Sequence, residues 1–469
     1  MSRTSDDLLT LFDHAPLNGR YWASMGLLSV AAALDFFDFY IVGYLVAVLA
    51  PQWHLTYGQS SIMLLSAGVG AIIGALIWGA LSDAWGRKLL FIIGTLLCAV
   101  AAAAIALIPD HSWALFALLR FFVGFGLAAS QAPTVALVVE YTPTKYRTVI
   151  TSLTVVFATV GTLLASLSAA TLLSTFGWRV VALLGIVPAT LGIAAIFILP
   201  ESVRWLVAKG RLTEARATVA KLLKMPLDAV PMPVMPQASP PTASLTDLYS
   251  EPRKFWLTVI SWAGAATANY GVYLWGPTVV ALLLKITVGQ AARYFVYIAL
   301  AGIVGKIAFS FLPQWLGRRR CAQLHGFGIA VTLAAAGYYY SSFVGDFPVF
   351  VLLLMLAALF FDGGFSNLAP YTVEFYGVRF GARASGLGQS ANGIGKILGP
   401  LCLALIAGTG NFVTPEVTEG AIFPAFLFLS SCGLAIGLAA TFLGTETHGK
   451  PLSQGGETWH GVPQSSALS

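Results

Sequence analysis

Charged side chains are scarce in this sequence. Asp, Glu, Lys and Arg together make up 10% of the 469 residues, whereas hydrophobic residues make up 57% and the mean hydropathy is +0.80. Soluble domains carry about 25% charged residues. The composition therefore excludes a soluble fold and predicts a polytopic membrane protein that is embedded in the lipid bilayer.

Cysteine is scarce as well. The four cysteines lie in apolar segments or beside a basic loop, and no two of them have the spacing of a disulfide framework or a zinc site. We therefore expect neither disulfides nor a metal, and no cofactor. No Ser/His/Asp or metal-ligand arrangement indicates an enzyme. The net charge of +6 is explained by the basic loops described below, so we expect no nucleic acid partner.

Long apolar runs dominate the chain instead. A window of about 20 residues predicts twelve spans, near 22–50, 59–82, 89–109, 113–139, 148–174, 178–199, 254–284, 293–316, 321–343, 347–375, 381–408 and 420–443. The proline-rich composition of the segment between the sixth and seventh spans predicts an extended linker. The predicted order is an N-terminus at 1–21, a six-helix bundle at 22–199, a linker at 200–253, a second six-helix bundle at 254–443 and a tail at 444–469.

Most basic loop residues lie on one side of the predicted membrane, the side of the two termini. The loops facing away from the termini contain only Arg179, Lys285 and Arg293, whereas the loops on the side of the termini contain most of the 26 Lys and Arg residues. Basic loops face the cytoplasm. We therefore expect the N-terminus, the linker and the tail to be cytoplasmic, in a protein of the cytoplasmic membrane.

Two acids interrupt the first span. Asp35 and Asp38 lie three residues apart, on one face of a helix, and have aromatic neighbours. A carboxylate at this depth costs several kcal/mol unless it is paired, protonated or hydrated, so we expect this pair to bind and release a proton. The alternative is a hydrogen bond that only holds two helices together.

Arg120 in the fourth span is the predicted partner of Asp38. Asp38 lies roughly 27 Å from Arg20, and Arg120 lies roughly 30 Å from Glu140, at 1.5 Å per helical residue. The two side chains should therefore lie at similar depth. We expect Arg120 to control proton release from the carboxylate; the alternative is that it binds a substrate carboxylate or phosphate.

Three further charges lie within the second set of spans. Lys306, Asp362 and Lys396 should lie roughly 15 to 23 Å from the cytoplasmic side, the depth at which transporters bind substrate. Two cations and one acid predict an organic anion as substrate, although Asp362 can neutralise one lysine as a structural pair. Asn269, Tyr270, Tyr273, Gln131 and Asn392 are further candidates for substrate binding.

The two halves look like weak copies of each other. GALSDAWGRK after the second span matches SFLPQWLGRR after the eighth, and EYTPTKYR after the fourth matches EFYGVRFGAR after the tenth. We expect these segments to form a conformational latch of charge-assisted bonds, although the second half has Gln314 where the first has Asp83. Arg87 and Lys88 can alternatively serve only to orient the protein. The candidate latch residues are Asp83, Gly86, Arg87, Lys88, Glu140, Arg147, Glu201, Arg204, Arg318, Glu374 and Arg383.

Four short motifs follow one another along the chain: GALSDAWGRK, RFFVGFGLAASQAP in the fourth span, PESVRWLVAKGR after the sixth and ETHGKPL after the twelfth. In this combination they resemble the signatures of the major facilitator superfamily, including its sugar porters and its organic-ion and phosphate relatives. The resemblance implies an all-α membrane protein with twelve transmembrane helices in two pseudo-symmetric six-helix bundles around a central cavity.

Within this superfamily, DFFDFYIVG resembles the two-acid pattern of the aromatic acid:proton symporters and the related pattern of the metabolite:proton symporters. The resemblance implies that Asp38 occupies the position of their proton-coupling Asp, that Asp35 matches the first acid, and that an Arg on the fourth span forms a coupling pair. We therefore interpret the sequence as a monomeric proton symporter that imports a small organic anion, a carboxylate or aromatic acid, by alternating access. The alternatives are a sugar, polyol or phosphate symporter, a drug exporter or a sensor that does not transport.

Overall fold

The twelve predicted spans are helices in the computed structural model, which describes residues 11, 17–233, 249, 251–377 and 380–449. The first six are α1 (Gly19–Gln52), α2 (Tyr57–Trp85), α3 (Arg87–Ala104), α4 (Trp113–Tyr141), α5 (Thr144–Leu183) and α6 (Val187–Ile198). The second six are α7 (Pro252–Leu284), α8 (Val288–Phe311), α9 (Arg318–Tyr338), α10 (Val349–Tyr376), α11 (Gly381–Ala407) and α12 (Pro415–Phe442). Short helices Val203–Ala208, Leu212–Leu223 and Pro313–Leu316 and the hairpin β1 (Phe343–Val344) and β2 (Phe347–Pro348) complete the described elements.

Only a kink separates the fifth span from the sixth. Gly177 has a φ of 76° that breaks the helical geometry between Thr144 and Leu183, so two helices meet at this residue. Within the described residues, nine stretches are long and apolar enough to cross a membrane, and one of them covers both of these spans as Val156–Ile198. Two helices, α7 and α9, are not among the nine. Helix α7 carries small and polar residues because it packs in the centre of the protein, where most of its side chains are buried.

Equivalent helices of the two halves begin in the same way. Helices α2 and α8 both start with a capping box, formed by Thr56 with Gln59 and by Thr287 with Gln290. Helices α3 and α9 both follow a glycine with positive φ, which is Gly86 at 98° and Gly317 at 82°. Only glycine adopts this backbone conformation easily. These shared helix starts support the pseudo-symmetry of two six-helix bundles.

The two bundles contact each other through α1 with α7, α2 with α11 and α5 with α8. At Gly43 the backbones of α1 and α7 touch, since a Cβ atom on Gly43 would lie 2.8 Å from the carbonyl oxygen of Leu274. Between α2 and α11, the Ser61 hydroxyl donates to the Pro400 carbonyl at 3.3 Å. These contacts surround the centre of the protein, where the charged side chains of the spans lie.

One end of the molecule is closed by its loops. We call the end with residues 53–58 and 408–414 the distal face, and the opposite end, with residues 199–212 and 443–449, the proximal face. At the distal face Thr56 and Phe412 form an antiparallel β-bridge. The amide N–H groups of Tyr57 and Gly58 donate to Asn411 and Thr409 at 2.9 Å, and the Tyr57 hydroxyl contacts Thr418. The loops therefore tie the two bundles together distally.

Candidate transport site

The two acids of α1 are buried and face different helices. Asp35 is 3% exposed and accepts a hydrogen bond from the Ser130 hydroxyl of α4 at 3.1 Å. Asp38 is 1% exposed, and its Oδ2 atom accepts a weak hydrogen bond from the Cys98 thiol of α3 at 3.7 Å. The other oxygen, Oδ1, has no hydrogen-bond partner among the described residues. Each carboxylate therefore accepts one side-chain hydrogen bond from the described residues.

Arg120 meets α1 at its backbone. Its guanidinium donates to the carbonyl oxygens of Asp38 at 2.8 Å and Phe39 at 3.3 Å. The predicted contact with the Asp38 carboxylate is thus not formed in this structure, because two adjacent carbonyls match the planar fork of the guanidinium. The guanidinium and the carboxylate still interact through their charges. Arg120 therefore holds α1 against α4 while balancing the charge of Asp38.

A hydrogen-bonded chain crosses from the first half to the second. The Tyr40 hydroxyl of α1 donates to the Asn269 side-chain oxygen at 2.6 Å, and the Asn269 amide donates to Asp362 at 3.1 Å. The Tyr273 hydroxyl donates to the other Asp362 oxygen at 2.7 Å. Both oxygens of Asp362 are therefore satisfied, and its network joins α1, α7 and α10.

The two lysines lie over aromatic rings of α1. The Lys306 ammonium lies 5.7 Å from the ring centre of Phe36, and the Lys396 ammonium lies 5.1 Å from that of Phe39 and 5.7 Å from that of Tyr270. Neither ammonium donates a hydrogen bond or forms an ion pair within the part of the chain that the structure describes. Two cations from the second half thus meet the acidic helix of the first half across a layer of aromatic rings.

Tyr270 is the centre of that aromatic layer. Its ring stacks on Tyr40 with 5.8 Å between centres and an interplanar angle of 18°, and it lies 5.1 Å from the ring centre of Phe39. Tyr40 also contacts Tyr273 at 5.1 Å. Phe39, Tyr40, Tyr270 and Tyr273 therefore form one continuous aromatic cluster between α1 and α7.

The two remaining substrate candidates, Asn392 and Gln131, lie close in sequence to members of this group. Asn392 is one helical turn before Lys396 on α11, and its buried Oδ1 atom has no hydrogen-bond partner among the residues described. Gln131 follows Ser130 on α4 and is partly exposed. The structure therefore brings Asn392 close to a central lysine and gives Gln131 no hydrogen bond within the described chain.

Sequence reasoning missed several polar neighbours of the central charges. Ser130 and Cys98 hold the acids, and Tyr40 bridges the two halves. Only Ser130 had a usable signal, because it lies next to Gln131 in the fourth-span motif. His325 on α9 was also missed: it is 1% exposed and its ring packs against Gly364. It takes no part in the network described above.

The candidate latch of the first half lies at the proximal face. The Glu201 carboxylate accepts hydrogen bonds from the backbone N–H groups of Arg87 at 2.9 Å and Lys88 at 3.1 Å, at the start of α3. The Arg87 guanidinium pairs with Glu140 at 2.6 Å, and Arg204 lies 3.9 Å from the same carboxylate. These contacts join the start of α3 to the end of α4 and to the segment that follows α6.

The second half repeats this arrangement although Gln314 replaces the acid of the first. Glu446 accepts backbone hydrogen bonds from Arg318 at 2.8 Å and Arg319 at 3.2 Å, and the Arg318 guanidinium pairs with Glu374 at 2.8 Å. Arg383 forms no ion pair with a described acid, and its buried Nη1 atom lacks a hydrogen-bond partner in the described chain. The side chains of Asp83 and Arg147 lie outside the described part of the structure.

Glu446 is the acceptor on which the second latch depends. Burial disfavours its charge, but hydrogen bonds from the backbone N–H groups of His448, Arg318, Arg319 and Thr447 outweigh burial, so the pKa of Glu446 lies below its usual value. The ionised form therefore stabilises the folded protein above the pKa of the unfolded state, and this stabilisation is lost as the pH falls through the lower folded-state pKa.

We expect Glu446→Gln to lower the free energy of unfolding by about 1–2 kcal/mol at neutral pH, because a partly exposed carboxylate that accepts several backbone hydrogen bonds is replaced by a neutral amide. Melting of the purified protein in detergent, followed across acidic and neutral pH, measures the change. The difference from wild type should shrink on acidification. The matched control is Glu416→Gln, an exposed glutamate in the first turn of α12; equal melting of both variants would contradict the assignment.

Comparison with known proteins agrees with this architecture. The Major Facilitator Superfamily profile matches residues 28–400. The niacin transporter NiaP of Acinetobacter baylyi is 28% identical over 455 residues, which are 95% of this chain and 99% of that protein. The cis,cis-muconate transport protein of the same species is 25% identical over 399 residues, which are 84% of this chain and 89% of that protein. The inward-open structure of the xylose transporter XylE from E. coli has the same fold, with a TM-score of 0.70, 16% identity, and coverage of 91% of this chain and 97% of XylE. This chain belongs to the Major Facilitator Superfamily and is a multi-pass membrane transporter, not an enzyme.

Proposed function

We propose that this protein is a proton-coupled symporter that imports a small organic anion, a carboxylate or aromatic acid, across the cytoplasmic membrane. The observation that carries the proposal is the central arrangement of Lys306 and Lys396, which lie over aromatic rings of α1, the helix that also carries the buried acids Asp35 and Asp38. The ammonium groups attract an anion, and the acids are groups that can carry a proton at bilayer depth. Niacin and muconate, for which the two relatives are named, are both carboxylates.

The proposed cycle uses the two halves as rigid bodies. The halves, residues 22–199 and 254–443, would rock about the central site while the linker at 200–253 and both termini remain in the cytoplasm. The distal loops would then face the outside of the cell and would have to separate when the site opens outward. The latch pairs, each within one half, would keep each bundle rigid at the proximal face. We infer that one chain is sufficient for the cycle.

The charges set the order of events. Protonation of an α1 acid from outside removes one negative charge from the centre, so that the anion can approach the lysines without leaving an unpaired charge in low dielectric. Return of the empty carrier requires the acid to release its proton to the cytoplasm and regain a cation as its partner. Anion and proton thus cross together.

Uptake into proteoliposomes tests this function. We expect labelled nicotinate to accumulate when the vesicle lumen is alkaline, and a protonophore to abolish the accumulation. Xylose should not be taken up, because the centre presents ammonium groups and aromatic rings. Asp35→Asn combined with Asp38→Asn should remove accumulation against a gradient while nicotinate binding remains.

The matched control is Asp110→Asn, which removes an exposed distal carboxylate that pairs with Arg179 at 2.8 Å. Its uptake should equal that of wild type. Nicotinate uptake that does not depend on the pH gradient would refute proton coupling. Uptake of xylose in place of carboxylates would refute the anion assignment.

A further inference from the structure

Resting on the alternating access of the proposed function, we propose that the hydrogen bond between Tyr40 and Asn269 closes the distal side of the centre, and that Asp362 holds this bond while ionised and releases it when protonated. We call these three residues the distal lock. Asp362 on α10 is thus a positioning residue, which adds a proton-sensitive group in the second half to the two acids of α1. The inference follows from the direction of the hydrogen bonds that converge on its carboxylate.

The bond between Tyr40 and Asn269 joins the two halves inside the protein. Both side chains are buried, and the hydroxyl of α1 donates to the amide oxygen of α7 at 2.6 Å. Three residues after Tyr40, at Gly43, the backbones of the same two helices touch. Helix α1 runs from the proximal to the distal face, so the bond and this contact lie between Asp35 and the distal loops. Separation of the halves at the distal face must therefore break the bond.

The Asn269 amide has two different ends, and Asp362 determines which of them faces Tyr40. The amide nitrogen donates to one Asp362 oxygen at 3.1 Å, and the Tyr273 hydroxyl donates to the other at 2.7 Å. An ionised carboxylate accepts hydrogen bonds but donates none. The nitrogen end of the amide must therefore face Asp362, which leaves the oxygen end for the Tyr40 hydroxyl.

A proton on Asp362 removes this constraint. The acid then carries an O–H group, which can donate to the oxygen end of the Asn269 amide. In that orientation the amide presents its N–H groups to Tyr40, and the Tyr40 hydroxyl loses its acceptor. A buried hydroxyl without an acceptor destabilises the arrangement that contains it. Protonation therefore weakens the closed distal side relative to an open one, in which water reaches both groups.

Asp362 is enclosed by the helices around it. It is buried, and a Cβ atom on Gly302 of α8 would collide with its carboxylate. The charged and titratable side chains of the surrounding helices in this region are Tyr40 on α1, Tyr270 and Tyr273 on α7, Lys306 on α8, His325 on α9 and Lys396 on α11. Because Asp362→Asn leaves all of these groups in place, a pH response that it removes depends on this carboxylate.

The distal lock gives the proton a defined effect on the transport cycle. A protein that has taken a proton at Asp362 from outside, but has bound no anion, stays open at the distal side, so the proton does not cross alone. The bound anion must supply the free energy that closes this side. Release of the proton to the cytoplasm then restores the bond between Tyr40 and Asn269.

A cysteine reporter measures whether the distal side is open. Ser61 of α2 is 1% exposed and donates to the Pro400 carbonyl of α11, so a thiol at this position should react with fluorescein maleimide only when the halves separate. The labelling rate of Ser61→Cys is measured on purified full-length protein in detergent, without substrate, from neutral to acidic pH. Each rate is divided by that of Glu416→Cys, an exposed position in α12, which corrects for ionisation of the thiol. Protein with its four native cysteines alone gives the background.

Acidification should raise the corrected labelling rate of the reporter protein. Asp362→Asn in the reporter should raise the rate about fivefold at neutral pH, the effect of one buried hydrogen bond, and should remove the pH response. Tyr40→Phe keeps the ring that stacks on Tyr270 at 5.8 Å and removes only the hydroxyl, so it should have the same two effects. The two substitutions together should raise the rate no further, because both act on one bond.

The matched control is Tyr21→Phe, which removes another buried tyrosine hydroxyl from α1. Tyr21 contacts Thr142 at 3.1 Å within the first half, so its loss should leave the labelling rate and the pH response of the reporter unchanged. Asp35→Asn and Asp38→Asn should each retain the pH response, because neither acid belongs to the distal lock.

The outcomes separate this inference from the function on which it rests. A pH response that persists in Asp362→Asn, or one that Asp35→Asn removes, would overturn the role of Asp362. Labelling of Tyr40→Phe at the reporter rate would overturn the role of the bond, and this variant decides the test if Asp362→Asn does not fold. Effects that multiply in the double variant would mean that Asp362 does not act through Tyr40.

None of these results changes proton-driven nicotinate uptake into proteoliposomes as a property of the wild type. Uptake that does not depend on the pH gradient would instead refute the proposed function, and it would leave the labelling rates as they are. Labelling without substrate therefore tests the distal lock by itself.

Discussion

Arg120→Met is expected to cost about 3–5 kcal/mol of stability and to abolish nicotinate uptake. The guanidinium is 1% exposed and lies between α4 and the middle of α1, where it donates to the Asp38 and Phe39 carbonyls. Its loss leaves the Asp38 charge without a compensating cation in a site that water does not reach. Melting in detergent and uptake into proteoliposomes measure the two effects.

A charge-balanced variant separates the loss of pairing from the loss of packing. Arg120→Met combined with Asp38→Asn removes both charges, so it should recover much of the stability that Arg120→Met loses. Arg120→Lys keeps the charge but lacks the planar fork that reaches two carbonyls, and should melt between wild type and Arg120→Met. If all three variants melt like wild type, the guanidinium does not balance a buried charge, and its placement between the helices is incidental.

The twelve helices could be predicted from sequence because burial in lipid requires long apolar runs. The exceptions have physical causes. The fifth and sixth spans meet at a kink at Gly177, since a glycine permits the change of direction without a loop. Helix α9 begins with three arginines at the proximal face, which lowers its hydropathy without preventing it from spanning the bilayer.

The partners of the charged residues could not be predicted. The depth of a residue in the membrane follows from counting residues along its helix, and this count identified Asp38 and Arg120 as neighbours. Counting does not give the rotation of one helix against another, so it could not show that Arg120 reaches the backbone carbonyls and leaves the carboxylate to Cys98. Tyr40 bridges to Asn269, but in sequence it resembles any aromatic residue within a span.

The ion pairs of the candidate latch, by contrast, could be predicted from the sequence. The sequence comparison placed Arg87 and Arg318 at equivalent positions, and the structure gives both an acidic partner, Glu140 and Glu374. Gln314, which stands where the first half has Asp83, argued against a symmetric latch. Glu446 nevertheless makes the same contacts as Glu201, since each accepts backbone hydrogen bonds at the start of α9 or α3, and no local pattern in the loop indicates them because Glu446 follows the last helix.

A disulfide across the distal loops is expected to reduce nicotinate uptake to the background of empty vesicles. Thr56 and Phe412 come from opposite halves and are partners in an antiparallel bridge, in which Cα atoms lie about 4.5–5.5 Å apart. Disulfides form at Cα distances of about 4.4–6.8 Å, so Thr56→Cys combined with Phe412→Cys should cross-link on oxidation. Uptake should return when a reductant is added.

The single variants Thr56→Cys and Phe412→Cys are the matched controls, and oxidation should leave their uptake unchanged because three of the native cysteines are buried and the fourth lies partly buried in α12. Nicotinate binding to the cross-linked protein should persist, since the bond holds closed an end that is already closed in this structure. Transport at the full rate by the cross-linked protein would mean that the distal loops never separate. The halves could then not rock apart at this face, and the central site would have to be reached by another route.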